Sequence, residues 1–298
     1  IWKSFIPGGG TGRSFTNEYG YVGVSVVQDE LMMEGMNEKG LSAGLFYFPD
    51  YGKYEEYSET NYETNISDFQ LVSYILGRCA TVDEVKAEIA RVHIHGFDPR
   101  SSTVHWRFAE PSGRQIVLEI IDGKCVFYEN KLGVLTNSPS FDWQLTNLNN
   151  YVNLMPGRTE PHTLGNMSLS SFGGGSAMIG LPGDFTPPSR FVRAAFFQNT
   201  APQKPDAEGS VFTAFHILGS MEIPIGAQFP VDETPADIPS ATQCTCVTDM
   251  SGLKFYYRSM YDGGIRCIDL KEIDFKKIGL KSEPLVPSKK EFVHHIRF

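Results

Sequence analysis

Two polar residues in this chain sit where a stiff backbone would present them, and their types suggest a site that acts on an oxygen or an anion. Arg190 lies in Gly180-Leu-Pro-Gly-Asp-Phe-Thr-Pro-Pro-Ser-Arg-Phe-Val-Arg193. The two prolines fix φ and the glycines permit sharp bends. Ser189 is placed to cap a helix beginning at Arg190, because its hydroxyl can accept from a free N–H of the first turn. Charge presented this stiffly is what a site requires. Asn137 lies in Thr136-Asn-Ser-Pro139, after an apolar stretch over residues 133–136 that reads as a buried strand. Pro139 biases the residue before it toward an extended conformation, so Asn137 stands at a strand end with its amide projecting from a rigid edge. An amide N–H aimed at a carbonyl oxygen is an oxyanion-hole donor. An asparagine that bonds its own turn is the competing reading, and residue types alone leave both open.

Other familiar chemistries are missing. The chain has no Gly-x-Ser-x-Gly elbow and no Gly-x-x-x-x-Gly-Lys loop. Gly173-Gly-Gly175 has no strand before it and no lysine after it, so it reads as a tight or flexible loop. His93 and His95 alternate in a short run and read as a strand-end surface pair rather than metal ligands; His105 and His216 read as packing positions. The five cysteines, Cys79, Cys125, Cys244, Cys246 and Cys267, are odd in number and scattered, which is not a disulfide framework. Cys244 and Cys246 alternate on one strand face, but no second Cys or His pair with zinc spacing accompanies them.

The elements that must position these groups are mixed. The 298 residues are 41% hydrophobic and 20% charged, with a formal net charge of −9. A sizeable core is expected, and a nucleic-acid partner is not, because phosphate binding needs a basic face. No apolar run resembles a membrane span, so no membrane insertion is expected. Strands are predicted over 19–27, 41–48, 103–109, 115–121 and 124–128, the last three joined by Pro-Ser-Gly and Asp-Gly turns. Further strands are predicted over 242–248, 253–259 and 264–270. Residues 67–78 carry an apolar helical stripe, and Thr81-Val-Asp-Glu84 is a capping box opening a second helix. Helices are also predicted over 142–153, 190–197 and 210–220, and a glycine- and proline-rich loop over 168–188. Clustered helix pairs with antiparallel hairpins imply an α+β fold, with two sheets packed together and covered by helices. The alternating βαβ of a dinucleotide fold is absent.

Asn37-Glu-Lys-Gly-Leu41, Thr136-Asn-Ser-Pro-Ser-Phe-Asp-Trp-Gln144, the segment 180–193 and Phe215-His-Ile-Leu218 occur in that order. Together they resemble the choloylglycine hydrolase family, which contains conjugated bile acid hydrolases and penicillin V acylases. The resemblance covers nearly the whole chain; the 180–193 match is the specific one. It implies an αββα four-layer sandwich of the N-terminal nucleophile type, a single domain over residues 1–298, and a homotetramer. It implies a catalytic cysteine at the first position of the mature chain, whose thiolate attacks an amide while its own α-amino group acts as base. Asn137 then matches the asparagine of the oxyanion hole and Arg190 the arginine beside the nucleophile. Tyr47 takes the place whose backbone N–H is the second oxyanion donor. No metal or organic cofactor is implied, because nucleophile and base share one residue.

The chain begins with Ile1 rather than cysteine, and all five cysteines are internal, so none owns a free α-amino group. The expectation is that a segment bearing the nucleophile precedes Ile1; the alternative is a binding paralogue that has lost it. Any export signal would also lie upstream, so localisation stays open. The small-molecule amide substrate is the second open matter. Bile-salt hydrolases usually carry Asn at the Tyr47 place and penicillin V acylases Tyr, whose ring could stack on a phenoxymethyl group. Phe46, Phe48, Tyr51 and Phe172 are the apolar wall candidates for either a steroid or a phenoxy group.

Overall fold

Antiparallel hairpins dominate the chain. In the computed structural model, residues 2–6, 10–26, 28–98, 102–233, 240–285 and 289–297 are described. A first hairpin pairs β1 (Trp2–Ile6) with β2 (Gly10–Phe15). There follow β3 (Tyr21–Val26), β4 (Gln28–Asn37), β5 (Ser42–Tyr47), β6 (Asn65–Ser67), α1 (Leu71–Leu76), α2 (Val82–Ile89) and β7 (His93–His95). Next come β8 (Val104–Ala109), β9 (Gln115–Ile121), β10 (Lys124–Glu129), α3 (Phe141–Asn147), β11 (His162–Leu164) and β12 (Met167–Leu169). The chain ends with α4 (Pro187–Thr200), α5 (Ala207–Gly219), β13 (Cys244–Asp249), β14 (Lys254–Ser259) and β15 (Asp262–Asp269).

Six of these strands form one antiparallel sheet in the order β10-β9-β8-β5-β4-β3, and β13-β14-β15 form a second. The larger sheet is buried on both faces near its middle. In β9 the side chains of Ile116, Leu118 and Ile120 enter the same core as Trp106, Phe108 and the apolar residues of α1 and α2. Val117 points to the opposite face and packs with Val134, Phe141 and Phe191. Two buried faces explain why β9 reads as a continuous β-branched run rather than a clean alternation. Full burial of each such aliphatic side chain stabilises by about 1.5–3 kcal/mol. Met36 of β4 and Phe255 of β14 meet between the two sheets. Val211 and Phe215 of α5 cover the outer face of the smaller sheet at Tyr256. The layers therefore run helix, sheet, sheet, helix, the αββα arrangement expected.

Turn chemistry fixes the registers. Asp122 and Gly123 both have positive φ, 47° and 72°, and join β9 to β10 as a two-residue hairpin turn. The β4–β5 turn is held by Asn37, which is fully buried. Its Nδ2 donates to the carbonyls of Leu76 (2.8 Å), the last residue of α1, and Cys79 (2.7 Å), and its Oδ1 accepts from Lys39 and Leu41 N–H (both 3.0 Å). One amide thus closes a turn and satisfies two carbonyls at a helix end.

Several sequence expectations are corrected here. The segment 133–136 joins no ladder, although Val134 and Thr136 are buried. Strand β4, which has no expected counterpart, supplies the centre of the β3-β4-β5 meander. The range 168–188 overlaps β12 at its start and α4 at its end, and holds a short 3₁₀ turn at Ser176–Met178. His216 is exposed rather than packed, and His95 is buried rather than on the surface. No helix among the described residues is long and apolar enough to cross a membrane.

Candidate functional site

Three distant segments meet at the end of β5. Asn137 Nδ2 donates to the Tyr47 carbonyl at 2.7 Å, and Asn137 Oδ1 accepts from Arg190 Nη2 at 2.7 Å. The two neighbours settle which way the amide faces: a guanidinium only donates and a carbonyl only accepts, so oxygen must face Arg190 and nitrogen Tyr47. One of the two Nδ2 hydrogens is used by Tyr47, and among the described residues nothing takes the other. The loop around Asn137 is pinned from several sides. Ser138 Oγ donates to Pro49 O (2.6 Å), Gln144 Nε2 donates to Asn137 O (3.3 Å), and Thr136 Oγ1 donates to Pro187 O (3.1 Å), at the start of α4. The Ser138–Pro139 peptide bond is cis.

Helix α4 starts three residues before Arg190, with Pro187 and Pro188 in its first turn and Thr186 at the N-cap position. Ser189 is therefore not the cap. Proline at the first helical position has its φ already set and lacks an N–H that would go unpaired, so the helix opens on the prolines. Ser189 Oγ instead donates to Asp184 Oδ2 at 2.7 Å. Asp184 also accepts from the N–H (2.9 Å) and hydroxyl (2.5 Å) of Thr186. These bonds hold its carboxyl down at about 2. The two arginines of the segment divide the work. Arg193 turns back into the loop and donates to Pro182 O (2.8 Å) and Asp184 O (2.6 Å). Arg190 donates through Nε to Phe185 O (2.9 Å) and through Nη2 to Asn137. Burial, then the positive charge of Arg193, lower the Arg190 pKa from its usual value. Among the described residues no carboxylate pairs with Arg190, so its charge is available to an oxygen or anion placed beside Asn137.

The aromatic candidates divide. Tyr47 is 55% and Tyr51 47% exposed, the latter with its ring 6.1 Å from that of Phe48. Phe46 is half-buried. Phe48 is fully buried, its ring stacked on the His105 imidazole at 4.3 Å, so it supports the wall from behind instead of presenting a face to a ligand. Phe172 is fully exposed, with no ring contact described. Cavities of about 440 Å³ (around Arg114, Asn130 and Gln198) and 380 Å³ (around Glu222, Thr242 and Arg258) lie elsewhere, and neither is lined by Tyr47, Asn137 or Arg190. Among the described residues no group of three or more His, Cys, Asp or Glu could hold a metal ion. Cys244 and Cys246 have their sulfurs 3.4 Å apart. None of the five thiols bonds to Asn137 or Arg190, and burial pushes the Cys79 thiol up to about 12.

One buried pair behind the site escaped the sequence reading. His105 and Glu119, on the paired strands β8 and β9, are both fully buried, with Nδ1 and Oε1 3.1 Å apart. A signal existed: Glu119 stands in the middle of Ile116-Val-Leu-Glu-Ile-Ile121, and a carboxylate inside an apolar strand demands a partner.

Residues 6–283 match the linear amide C–N hydrolases of the choloylglycine hydrolase family. A bile salt hydrolase/transferase of Clostridium perfringens is 33% identical over 267 residues, covering 87% of this chain and 79% of that protein. A penicillin V acylase of Pectobacterium atrosepticum is 30% identical over 300 residues, covering 91% and 72%. A crystal structure of a variant of the conjugated bile acid hydrolase from Clostridium perfringens superimposes with a TM-score of 0.82 at 29% identity, covering 99% of this chain and 89% of that one.

Proposed function

The chain belongs to the choloylglycine hydrolase family of linear amide C–N hydrolases, and from that premise we propose that it cleaves its amide through a cysteine thioester at the Tyr47–Asn137–Arg190 cluster. The nucleophile in this reading is the thiolate of an N-terminal cysteine of the mature chain. It attacks the amide carbonyl carbon, and the oxygen that becomes negative accepts the unused N–H of Asn137. The α-amino group of the same cysteine, with an ordinary pKa of about 7.7–8.0, takes the thiol proton and passes it to the leaving amine. Water then attacks the thioester and releases the acid. Arg190 fixes the Asn137 amide through Oδ1 and places positive charge beside the developing oxyanion.

The observation that carries this reading is the Asn137 amide, its orientation locked between an acceptor at 2.7 Å and a donor at 2.7 Å, with one N–H left over. An asparagine bonded only within its own turn would not span 90 residues to Tyr47 and 53 to Arg190. The substrate class is a bile-salt conjugate, penicillin V or a related N-acyl amine; Tyr47 inclines the reading toward penicillin V. The test is amine release from glycocholate, taurocholate and penicillin V, compared side by side on the full-length protein, with N-terminal sequencing of the mature chain. Release from one of them by a chain beginning with Cys supports the proposal. No release by a chain beginning with Ile1 replaces it with the binding paralogue.

A further inference from the structure

The His105–Glu119 pair touches both ends of the loop that carries Asn137. His105 Nε2 lies 3.1 Å from Thr136 O, the residue before Asn137, and Glu119 Oε1 accepts from Phe141 N–H at 2.9 Å, just past Pro139 and Ser140. The imidazole plane is set by Phe48, stacked at 4.3 Å with 11° between the rings, and Phe46 approaches edge-on at 6.1 Å. Phe46 and Phe48 flank Tyr47, whose carbonyl holds the Asn137 amide. One buried side-chain pair is thus tied to the β5 end and to both ends of the 137–140 loop.

The hydrogen-bond logic is restrictive. A carbonyl only accepts, so Nε2 must carry a hydrogen toward Thr136. The Nδ1 to Oε1 contact then needs one proton between them, either on the ring or on the carboxyl. With that proton gone, two lone pairs would face each other at 3.1 Å. The Thr136 link needs an N–H at the Nε2 position, and the Phe141 link needs the Glu119 oxygen. We propose that His105 and Glu119 are positioning residues that hold the Asn137 amide in register with the Tyr47 carbonyl, and so set turnover without touching substrate. This rests on the reading of Asn137 as the oxyanion donor.

The test uses the full-length protein and whichever of penicillin V, glycocholate and taurocholate the wild type cleaves. His105→Gln places an amide N–H near the Nε2 position and keeps the bond to Thr136 O; His105→Asn reaches only toward Glu119 and loses it. The expected result is kcat within about threefold of wild type for Gln, but lowered at least about tenfold for Asn with KM within about threefold, since small misplacements of a catalytic group cost up to about a hundredfold. Melting temperatures are measured for both, because a structural role would make kcat follow stability. Where the histidine variants do not fold, Glu119→Gln, which can still pair with both neighbours, is compared with Glu119→Leu, which cannot, and the same contrast in kcat is expected. Equal kcat within the folded pair overturns the proposal. If Asn137→Ala itself turns over at the wild-type rate, the oxyanion reading fails instead, and the two failures are told apart.

Discussion

Asn137→Asp is the substitution that separates catalysis from architecture at this site. Asn137 makes two bonds of opposite polarity, accepting from Arg190 and donating to Tyr47 O, each at 2.7 Å. Aspartate keeps the first and strengthens it, since a carboxylate–guanidinium bond is about twice as strong as a neutral one. It loses the second, worth about 1 kcal/mol for a neutral pair, and sets a carboxylate oxygen against the Tyr47 carbonyl oxygen, a repulsion that the strengthened Arg190 bond offsets, so stability stays near that of the wild type. Alanine loses both and costs about 1–3 kcal/mol, moderated because the residue is half-exposed and water can replace its partners. For turnover the order differs. Neither variant can donate to an oxyanion, and loss of one such donor costs about 10²–10³ in kcat, or about 2.7–4 kcal/mol; the aspartate adds like-charge repulsion. The expected outcome is therefore two variants of different stability and similarly low kcat. Initial rates of amine release at saturating substrate, with thermal melts by circular dichroism, read both quantities. An aspartate variant that turns over within threefold of wild type would refute the argument and leave Asn137 a structural tie between β5 and α4.

Two further outcomes follow from bonds away from the reacting atoms. Asn37→Ala empties a fully buried place and leaves two carbonyls at the end of α1 and two turn N–H groups without this partner; a loss of about 3 kcal/mol or more is expected, and urea unfolding that shows less than 1 kcal/mol would contradict it. Asp184 is held at about 2 by Thr186 and Ser189, below its value of about 3.9 in an unfolded chain. Its contribution is therefore fully present above pH 4 and is lost as pH falls from about 4 toward 2; because the group is exposed, screening makes the effect small. Asp184→Asn is expected to flatten the acid limb of melting temperature against pH, and superimposable profiles would count against the assignment.

Much of this architecture was legible because particular residues leave few options. The Asp-Gly and Pro-Ser-Gly turns bracket β8, β9 and β10, whose bounds agree with expectation to within a residue. Prolines made Arg190 and Asn137 conspicuous. Other features stayed hidden for physical reasons. Strand β4 carries Gln28, Asp29, Glu30 and Glu34 and is exposed over its first residues, with register shifts against β3, so its hydrophobic period is broken. The stretch 133–136 has strand-like residues, but its partners are side chains: Asn130 Nδ2 donates to Val134 O and His105 meets Thr136 O. Phe48 looked like a ligand wall because an aromatic residue at a strand end looks the same from sequence whichever side it faces. The His105–Glu119 pair depends on register between two strands, and register is set by turns and packing rather than by either strand alone.

Four of the bonds that assemble the site run from a side chain to a backbone carbonyl. Asn137 reaches Tyr47 O, Ser138 reaches Pro49 O, Thr136 reaches Pro187 O, and Arg190 reaches Phe185 O. A carbonyl is supplied by every residue type, so the accepting positions are free to change their side chains without loosening the frame. Tyr47 is such a position. Its carbonyl holds Asn137 while its ring is 55% exposed and takes no part in the network. A site built this way separates the two demands made on it. Under the proposed function, donors at 136, 137, 138 and 190 would fix where the carbonyl of a substrate is met, and the side chain at 47 would be free to change with what that substrate carries.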